Sequence, residues 1–157
     1  MFAKRAYTVF LHCNESSSML VTNQNKFDHQ FRNLPDGTRA FEVMVNDELA
    51  FDCIYSEAIE CRNYDKVLYY AVKRNLINEK SYAIGQCRTY DKYRGQGIYQ
   101  FALRSILSRL YEHNAYPICM SARTNNFASI RGIFNVGFQE KFTIKRYTFK
   151  SLDVFMK

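Results

Sequence analysis

Two glycines one residue apart lie where a strand-like segment gives way to a helical pattern. Gly95 and Gly97, in the run Arg94-Gly-Gln-Gly-Ile-Tyr99, can adopt backbone angles that other residues avoid, so that a ligand can lie against bare peptide. The first turn of the helix that begins near Ile98 offers N–H groups without an intrahelical partner, and these groups attract anions. The spacing predicts a phosphate-binding loop made of main-chain groups; a tight strand-to-helix turn is the structural alternative.

Carboxylates are the next residues with acid–base chemistry. Five of them lie on or beside predicted central strands: Glu42, Asp47, Glu48, Asp52 and Glu57. Most are expected to be solvated surface charges. Asp52 is the preferred general base, because it lies mid-strand among Phe51, Cys53 and Ile54, where an inward charge without a role would be costly. Strand alternation is equally compatible with an outward Asp52.

Thiols and imidazoles give weaker signals. Cys87 precedes the loop and could act as a nucleophile, but a small buried side chain is the simpler interpretation. The five cysteines contain no C-x-x-C pair, which argues against a disulfide framework and a metal site. The three histidines are far apart in sequence, and we expect His113 to cap the end of a helix.

The elements that position the loop begin with strands. Residues 7–13, 41–45, 49–55 and 81–90 are rich in β-branched and aromatic side chains, which is typical of strands. The turn Asn46-Asp47-Glu48 predicts a hairpin between the second and third of these segments. In the last strand, simple alternation places Cys87 on the face opposite Ile84.

Helical patterns follow the loop. Between Ile98 and Leu110 apolar residues recur at intervals of three and four, which predicts a long amphipathic helix. Residues 117–122 predict a buried strand, Phe127–Asn135 a second helix that ends at Gly137, and residues 138–149 a strand or hairpin. Residues 15–34 are polar and ambiguous and are compatible with one or two short helices, and residues 67–72 are compatible with a strand or a short helix.

Composition sets the outer limits. A chain of 157 residues with 47% hydrophobic content is expected to form a single domain, 1–157. Because no apolar run is long enough to span a bilayer and no signal peptide is evident, we expect a cytoplasmic protein without a membrane partner. The net charge of +7 favours an anionic partner. Dispersed basic residues and the lack of a reader motif argue against a nucleic-acid partner.

Two motifs at a fixed separation resemble those of the GCN5-related N-acetyltransferases, from about residue 81 to 138. The family writes its pyrophosphate loop Q/R-x-x-G-x-G/A; the chain has Arg94 and Gly97 in the first two places and departs at the last, with Tyr99. An Asn, a small residue three positions later, and a Gly-Phe pair eleven and twelve positions later follow in the family. Asn126, Ser129, Gly137 and Phe138 match this spacing.

The resemblance implies an α/β fold of the α+β kind: a mixed, mostly antiparallel sheet flanked by helices, whose fourth and fifth strands, here residues 81–89 and 117–122, splay apart. It also implies acetyl-CoA, or another acyl-CoA, as co-substrate. The implied contacts are main-chain groups near Cys87, Arg88 and Thr89 for the pantetheine arm. The implied pyrophosphate loop comprises Arg94, Gly95, Gln96, Gly97, Ile98 and Tyr99, with Asn126 and Ser129 beside it.

The implied activity is direct transfer of the acetyl group to a primary amine of a small molecule, such as an amino sugar or a surface-polysaccharide precursor. An amide N–H near Thr89 would stabilise the oxyanion, and Asp52 would act as base. The family's usual tyrosine acid is absent, because Ile133 occupies its position and Phe134 lacks a hydroxyl. Tyr99 is compatible with the cofactor if its ring turns outward.

Two alternatives stay open. A degenerate acetyltransferase fold could bind CoA or a protein partner without catalysis, and the Ile133 and Tyr99 departures favour it. A basic nucleic-acid binder would instead show steeply salt-dependent binding without any response to CoA. The chain is compatible with either a monomer or a homodimer.

Overall fold

The computed structural model describes residues 2–13 and 26–157 of the chain. These residues form eight strands, three α-helices and two short 3₁₀ helices. The strands are β1 (Phe2–His12), β2 (Asp28–Asn33), β3 (Arg39–Val45), β4 (Glu48–Glu57), β5 (Tyr82–Thr89), β6 (Ile118–Arg123), β7 (Gln139–Phe149) and β8 (Leu152–Met156). The helices are α1 (Lys66–Lys73), α2 (Ile98–Glu112) and α3 (Phe127–Asn135), and the 3₁₀ helices are Ala58–Asn63 and Asp91–Tyr93.

All eight strands form one sheet in the order β2-β3-β4-β5-β6-β1-β7-β8. Neighbouring strands are antiparallel throughout, except that β5 and β6 run parallel. β1 lies inside the sheet, where it pairs with β6 over residues 7–12 and with β7 over residues 2–11. The predicted fold class, a mixed and mostly antiparallel sheet flanked by helices, is confirmed.

Helices cover both faces of the sheet. Val9 and Phe10 are adjacent on β1 and both fully buried, yet they belong to different hydrophobic clusters, because successive strand residues point to opposite faces. Phe10 packs in the cluster that contains Leu103 of α2, whereas Val9 packs in the cluster that contains Leu68 of α1. Each such side chain contributes about 1.5–3 kcal/mol by leaving water. The loop at the start of α2 is therefore anchored to a two-sided core.

Several predicted elements are confirmed with longer or more definite bounds. The hairpin of residues 41–55 is formed by β3 and β4, and Asn46 and Asp47 both have positive φ, as a two-residue hairpin turn requires. α3 spans the predicted residues and ends before Gly137, whose φ is 99°. The N–H of Gly137 donates to the carbonyl of Phe134 at 3.0 Å. Residues 67–72 form part of α1.

Two expectations for other segments differ from the structure. Residues 28–33, part of the ambiguous segment for which short helices were considered, form β2, because Phe31 pairs with Phe41 and gains a place on the apolar face of the sheet. Residues 14–25 of the same predicted segment lie outside the described residues. The C-terminal hairpin continues past residue 149 into β8, across a turn in which Lys150 has φ 53°. No helix in residues 2–13 or 26–157 combines the length and apolarity needed to cross a bilayer.

Candidate functional site

β5 and β6 start as neighbours and then separate. Their pairing is confined to Tyr82 with Ile118 and Ala83 with Cys119, although β5 continues to Thr89. The splay predicted for residues 81–89 and 117–122 is therefore confirmed. These strands are the fifth and sixth along the chain rather than the fourth and fifth, because β2 adds a strand that the sequence pattern did not predict.

A β-bulge lies on β5 beside the splay. The register with β4 passes from Asp52 opposite Arg88 to Ile54 opposite Gly85, so that Gln86 and Cys87 together face one residue of β4. Gln86 has φ 49°. The extra residue turns Cys87 to the same face as Ile84, where both contact the cluster beneath α2. The prediction that Cys87 and Ile84 lie on opposite faces is wrong, since strict alternation takes no account of a bulge.

Main-chain groups after the bulge point into the splay. Tyr90 donates its N–H to the carbonyl of Ala50 on the β4 side, at 3.0 Å. Because neighbouring residues in a strand direct their N–H groups to opposite edges, the N–H of Thr89 points away from β4 and towards the gap. The Thr89 carbonyl accepts a hydrogen bond from Arg94 Nε at 3.3 Å. This leaves the Thr89 amide as a donor at the edge of the gap.

The glycine loop provides an open N-terminus for α2. Gly95 and Gly97 have φ values of 78° and 77°. Among the described residues, a Cβ on Gly95 would meet no atom within 4 Å, and one on Gly97 would approach only Lys26 Nζ, at 3.9 Å. Gly97 is the N-cap of α2, and it offers no side chain to accept a hydrogen bond from the first turn. The bare loop and the uncapped N–H groups fit a pyrophosphate.

A cleft of ≈ 560 Å³ opens above this loop. It brings together every residue predicted to bind the cofactor except Gln96. The lining residues are Cys87, Arg88, Thr89, Tyr93, Arg94, Gly95, Gly97, Ile98, Tyr99, Gln100, Asn126, Ala128, Ser129, Arg131 and Gly132. The glycine loop, β5 and the start of α3 thus line one continuous cleft.

Positive charge surrounds the cleft. Arg94 forms an exposed ion pair with Asp91 at 3.1 Å. Arg131 lines the cleft and forms no ion pair with any described residue. With Lys26 beside Gly97, the cleft therefore presents cations to an anionic ligand, and the sequence motif had indicated only Arg94 among them.

Tyr99 turns inward, so the outward ring that was the condition for its compatibility with the cofactor is not found. Its ring lies against Gly132 of α3, where an added Cβ would come within 3.0 Å of the ring, so the absence of a side chain at Gly132 makes the space. The Tyr99 hydroxyl shares a hydrogen bond with Ser129 Oγ at 3.0 Å. Burial raises the pKa of the Tyr99 phenol, which keeps its proton in place at neutral pH.

A second cavity of ≈ 230 Å³ occupies the gap between β5 and β6. It shares Cys87, Tyr99, Asn126 and Ser129 with the cleft. It also reaches groups on the α1 side of the sheet. Its lining comprises Tyr7, Asp65, Ile84, Gly85, Gln86, Cys87, Tyr99, Met120, Ser121, Ala122, Arg123, Asn126 and Ser129. The cleft therefore continues through the sheet towards α1.

Asp65 is the carboxylate in this gap. It is the N-cap of α1, where one oxygen accepts the N–H of Leu68 at 2.9 Å and the other accepts the Ser121 hydroxyl at 2.8 Å. The half-buried side chain forms no ion pair with a described residue, and desolvation raises the pKa of the carboxyl above its ordinary 3.8. Sequence analysis missed Asp65, although an Asp before a short apolar helix is a recognisable N-cap signal.

Tyr64 fixes the start of α1 against β5. A Cβ on Gly85 would lie 2.8 Å from the Tyr64 ring, so only glycine allows this approach. The Tyr64 hydroxyl donates to the carbonyl of Ala83 at 3.1 Å and also contacts Ser56 Oγ at 2.8 Å. These contacts hold Asp65 at the α1 side of the gap.

The predicted catalytic residues, Asp52 and Thr89, do not line the gap beside Asp65. Asp52 lines neither cavity; it pairs with Arg88 at 3.1 Å and accepts the Tyr90 hydroxyl at 3.0 Å. Thr89 lines the cleft. Ile133 is fully buried in the core, and Phe134 is exposed, with its ring edge-on to Phe10.

Histidines do not contribute to either cavity. His12 is buried and hydrogen-bonded to the Tyr111 hydroxyl at 2.6 Å and the carbonyl of Val136 at 3.1 Å. His113 Nδ1 bonds to the carbonyl of Arg109, which confirms its predicted place at the end of α2. In residues 2–13 and 26–157, no group of three or more His, Cys, Asp or Glu could hold a metal ion.

Solved structures share this architecture at low sequence identity. An acetyltransferase of the GNAT family from Colwellia psychrerythraea is 14% identical with a TM-score of 0.57, and 96% of this chain covers 57% of that one. A GCN5-related N-acetyltransferase-like protein from Streptococcus suis is 7% identical with a TM-score of 0.60, over 93% and 61% of the two chains. A functionally unknown conserved protein from Staphylococcus epidermidis is 12% identical with a TM-score of 0.62, again over 93% and 61%.

These similarities concern the fold. The chain spans between 57% and 61% of the length of the three structures it matches. No protein-family model matches the sequence, and a search of the curated proteins finds no significant match. The chain therefore has the fold of GCN5-related N-acetyltransferases. Its glycine loop, its splayed strand pair and its through-sheet cavity adjoin one another.

Proposed function

We propose that the protein is an acyl-CoA-dependent N-acyltransferase, most simply an acetyltransferase, that acts on a primary amine of a small molecule. One observation carries the proposal: the cleft at the bare N-terminus of α2 continues into the gap between β5 and β6. An elongated anionic ligand could place its phosphates at the loop and its other end in the gap. The acyltransferase fold of the neighbouring structures supports the same assignment.

The loop and the surrounding cations would hold the co-substrate. We expect the main-chain N–H groups of residues 96–99 to bind the pyrophosphate, with Arg94, Arg131 and Lys26 adding charge. Main-chain groups of Cys87 and Thr89 would pair with the pantetheine arm, while Asn126 and Ser129 line the opposite wall. When bound, acetyl-CoA would supply the acetyl group as an activated thioester.

Asp65 would receive the proton from the acceptor. A primary amine is mostly an ammonium at neutral pH and must lose a proton before it can attack a carbonyl carbon. Asp65 lines the gap from the α1 side, carries no ion pair with a described residue and has a raised pKa, which makes it a stronger base than an exposed carboxylate. Asp52, the base favoured by sequence, is engaged by Arg88 and Tyr90.

Tyr99 would hold the proton that the leaving sulfur needs. The residue lines both the cleft and the gap, and burial keeps its phenol protonated. The phenol comes from the start of α2, and glycine at position 132 of α3 gives it room. This arrangement would compensate for Ile133, which cannot donate a proton.

The Thr89 amide would stabilise negative charge on the carbonyl oxygen during transfer. A fixed main-chain donor in such a position lowers a barrier by about 3 kcal/mol. The acceptor would be a small amine, for example an amino sugar or a surface-polysaccharide precursor. The net charge of +7 favours an acceptor that also carries an anionic group.

A non-catalytic CoA-binding or protein-interaction module is the second candidate. Ile133 favours it, because the buried isoleucine occupies the place of the usual proton donor. A CoA-binding module predicts the same cofactor response as the transferase but no turnover, so that amine acetylation separates them. A protein-interaction module predicts neither.

Thermal unfolding with and without acetyl-CoA tests the proposal. At 100 times Kd, one-site binding stabilises the fold by about 2.7 kcal/mol, which for a chain of this size raises Tm by about 5–10 °C. Gly97→Trp should abolish the rise by filling the loop, and Arg131→Gln should reduce it without straining the backbone. Gln96→Ala is the matched control and should respond fully, because the Gln96 side chain lines no part of the cleft.

Turnover is then measured as CoA release with a panel of amines, amino sugars and nucleotide-linked amino sugars. Acetylation of any of them supports the transferase. A full thermal response without turnover would favour the CoA-binding module. No thermal response at any acetyl-CoA concentration would refute the transferase and the CoA-binding module, and would favour a protein-interaction module.

A further inference from the structure

A third cavity lies at the opposite end of α2, away from the cleft. It has a volume of ≈ 410 Å³ and is lined by residues of β2 to β5 and the last turn of α2. The walls include the rings of Phe31 and Tyr82, together with Arg39 and Arg109. No aspartate or glutamate lies among its lining residues within the described chain. Since α2 has 15 residues, the cavity and the glycine loop are about 20 Å apart.

Tyr55 brings a phenol hydroxyl to this cavity. The residue is 1% exposed, and no hydrogen bond joins its hydroxyl to a residue of 2–13 or 26–157. A phenol hydroxyl at the wall of a cavity can donate a hydrogen bond to a ligand there. The open side of the cavity is the direction from which a partner can come.

The two arginines are also unpaired. Neither Arg39 nor Arg109 forms an ion pair with a described residue. The Arg109 guanidinium lies over the Phe31 ring, 4.1 Å from its centroid, and His113 Nδ1 bonds to the Arg109 carbonyl. Burial raises the pKa of Tyr55, and the charges of Arg109 and Arg39 oppose that rise, since both lie near the phenol.

We propose that this cavity binds a small organic anion. Its carboxylate or phosphate would bond to Arg39, Arg109 and the Tyr55 hydroxyl, and its apolar body would pack against Phe31 and Tyr82. Arginine suits either head group, because its planar fork donates two parallel hydrogen bonds. The site would act independently of the glycine loop, and the protein would thus carry two anion sites at the two ends of one helix.

Thermal unfolding and NMR titration of the full chain test the site with three probes of similar size. Benzoate and phenyl phosphate carry the two head groups, and benzyl alcohol is the neutral analogue. We expect either or both anions to raise Tm and to shift side-chain signals of Tyr55 and Tyr82, and the tighter anion identifies the preferred head group. No response to either anion, or an equal response to benzyl alcohol, would overturn the proposal.

Variants locate the response. Arg109→Gln and Tyr55→Phe should each weaken anion binding by about tenfold, because each removes a hydrogen bond to a charged group. Tyr55→Phe should leave the Tm of the free protein unchanged, since the lost hydroxyl has no protein partner. Arg62→Gln is the control, because Arg62 stacks on Tyr69 outside the cavity and its loss should have no effect on anion binding.

Gly97→Trp separates this site from the proposed function. The variant loses the glycine loop and should keep its full response to benzoate and phenyl phosphate. A response that disappears in Gly97→Trp, or that persists unchanged in Arg109→Gln, would place the anions elsewhere and refute the site. The outcome does not depend on acetyl-CoA binding or on turnover.

Discussion

The N-termini of α1 and α2 both lie at the cavities, yet only α1 has a side-chain cap for its free N–H groups. α1 has 8 residues and is capped by the Asp65 carboxylate, which accepts the N–H of Leu68 at 2.9 Å. α2 has 15 residues and begins at Gly97, whose lack of a side chain leaves the first turn uncapped. A glycine at the N-cap costs about a few tenths of a kcal/mol relative to a side-chain cap, so the longer helix lacks a small stabilising contact. The difference supports the proposal that a ligand binds the free N–H groups of α2.

Charge follows the same division. The α2 end is flanked by Arg94, Arg131 and Lys26, which together with the helix dipole favour an anion. The α1 end carries one carboxylate without an ion-pair partner among the described residues. A protein that joins an anionic co-substrate to a cationic amine needs a positively charged surface for the first and a carboxylate for the second. The contrast therefore makes Asp65, rather than any exposed acid, the residue to change first.

The largest expected effect comes from Asp65→Asn. The amide can still cap α1 but cannot accept a proton at neutral pH, so turnover should fall by about 10²–10⁴-fold. The acetyl-CoA-dependent rise in Tm should persist, because Asp65 lies outside the cleft. Steady-state CoA release with the best amine measures the first effect and thermal unfolding the second.

Asp52→Asn is the control for this comparison. It removes an equal charge from a carboxylate that pairs with Arg88 and lines neither cavity, and turnover should be unchanged. A large loss in Asp52→Asn with none in Asp65→Asn would reverse the assignment and restore the base that the sequence favoured.

Tyr99→Phe should have the next largest effect. It removes the hydroxyl that pairs with Ser129 and leaves the ring packed on Gly132, so that the fold and the loop persist. We expect turnover to fall by about 10–100-fold, because a thiolate is a tolerable leaving group even without an acid. An acyl donor with a more acidic thiol should recover the rate. Tyr90→Phe, which changes a phenol bound to Asp52, should neither lose rate nor respond to the donor.

The smallest effect is on stability and its dependence on pH. The folded state raises the pKa of Asp65 above 3.8, so it holds a proton that the unfolded state releases. Stability from this group is present below pH 3.8 and is lost as pH rises through the folded pKa, by about 1.4 kcal/mol for each unit by which the pKa is raised. Asp65→Asn should remove that loss and be more stable than the parent at pH 7, as measured by urea unfolding between pH 3.5 and 8.

Asp153 supplies the opposite case within the same titration. Hydrogen bonds from Arg146 and Thr148 lower the pKa of its carboxyl to about 2, so its contribution is present above pH 3.8 and disappears as pH falls towards 2. The parent and Asp65→Asn both contain Asp153, so the difference between their free energies of unfolding reports on Asp65 alone. If this difference in the free energy of unfolding does not change with pH, Asp65 is charged equally in the folded and the unfolded state.

Local sequence patterns predicted the parts of the site that depend on neighbouring residues. Apolar spacing from Ile98 to Leu110 indicated α2, and Gly95 and Gly97 indicated its open start, because both signals lie within one or two turns of chain. The splay came from the resemblance to a family rather than from residue patterns. Asn126 was identified in the same way, and it caps α3 by accepting the N–H of Ser129 at 3.2 Å.

Features set by distant residues were missed or wrong. The inward ring of Tyr99 depends on Gly132 of another helix, and the face of Cys87 depends on a bulge at Gln86, a residue type that seldom adopts positive φ. Asp65 gave a local capping signal, but its entry into the gap depends on Tyr64 packing against Gly85, a residue of a strand about twenty positions away in sequence. Such contacts are not encoded in any short window of sequence.

The position of β1 between β6 and β7 also constrains how the protein is made. Its partners lie at residues 118–123 and 139–149, so more than a hundred residues separate the strand from the first of them. During synthesis, residues 2–12 emerge long before their partner strands, and Val9 and Phe10 have no strand to pair with until those strands are made. Such long-range pairing slows folding, and the nascent strand is the segment that a chaperone would be expected to protect.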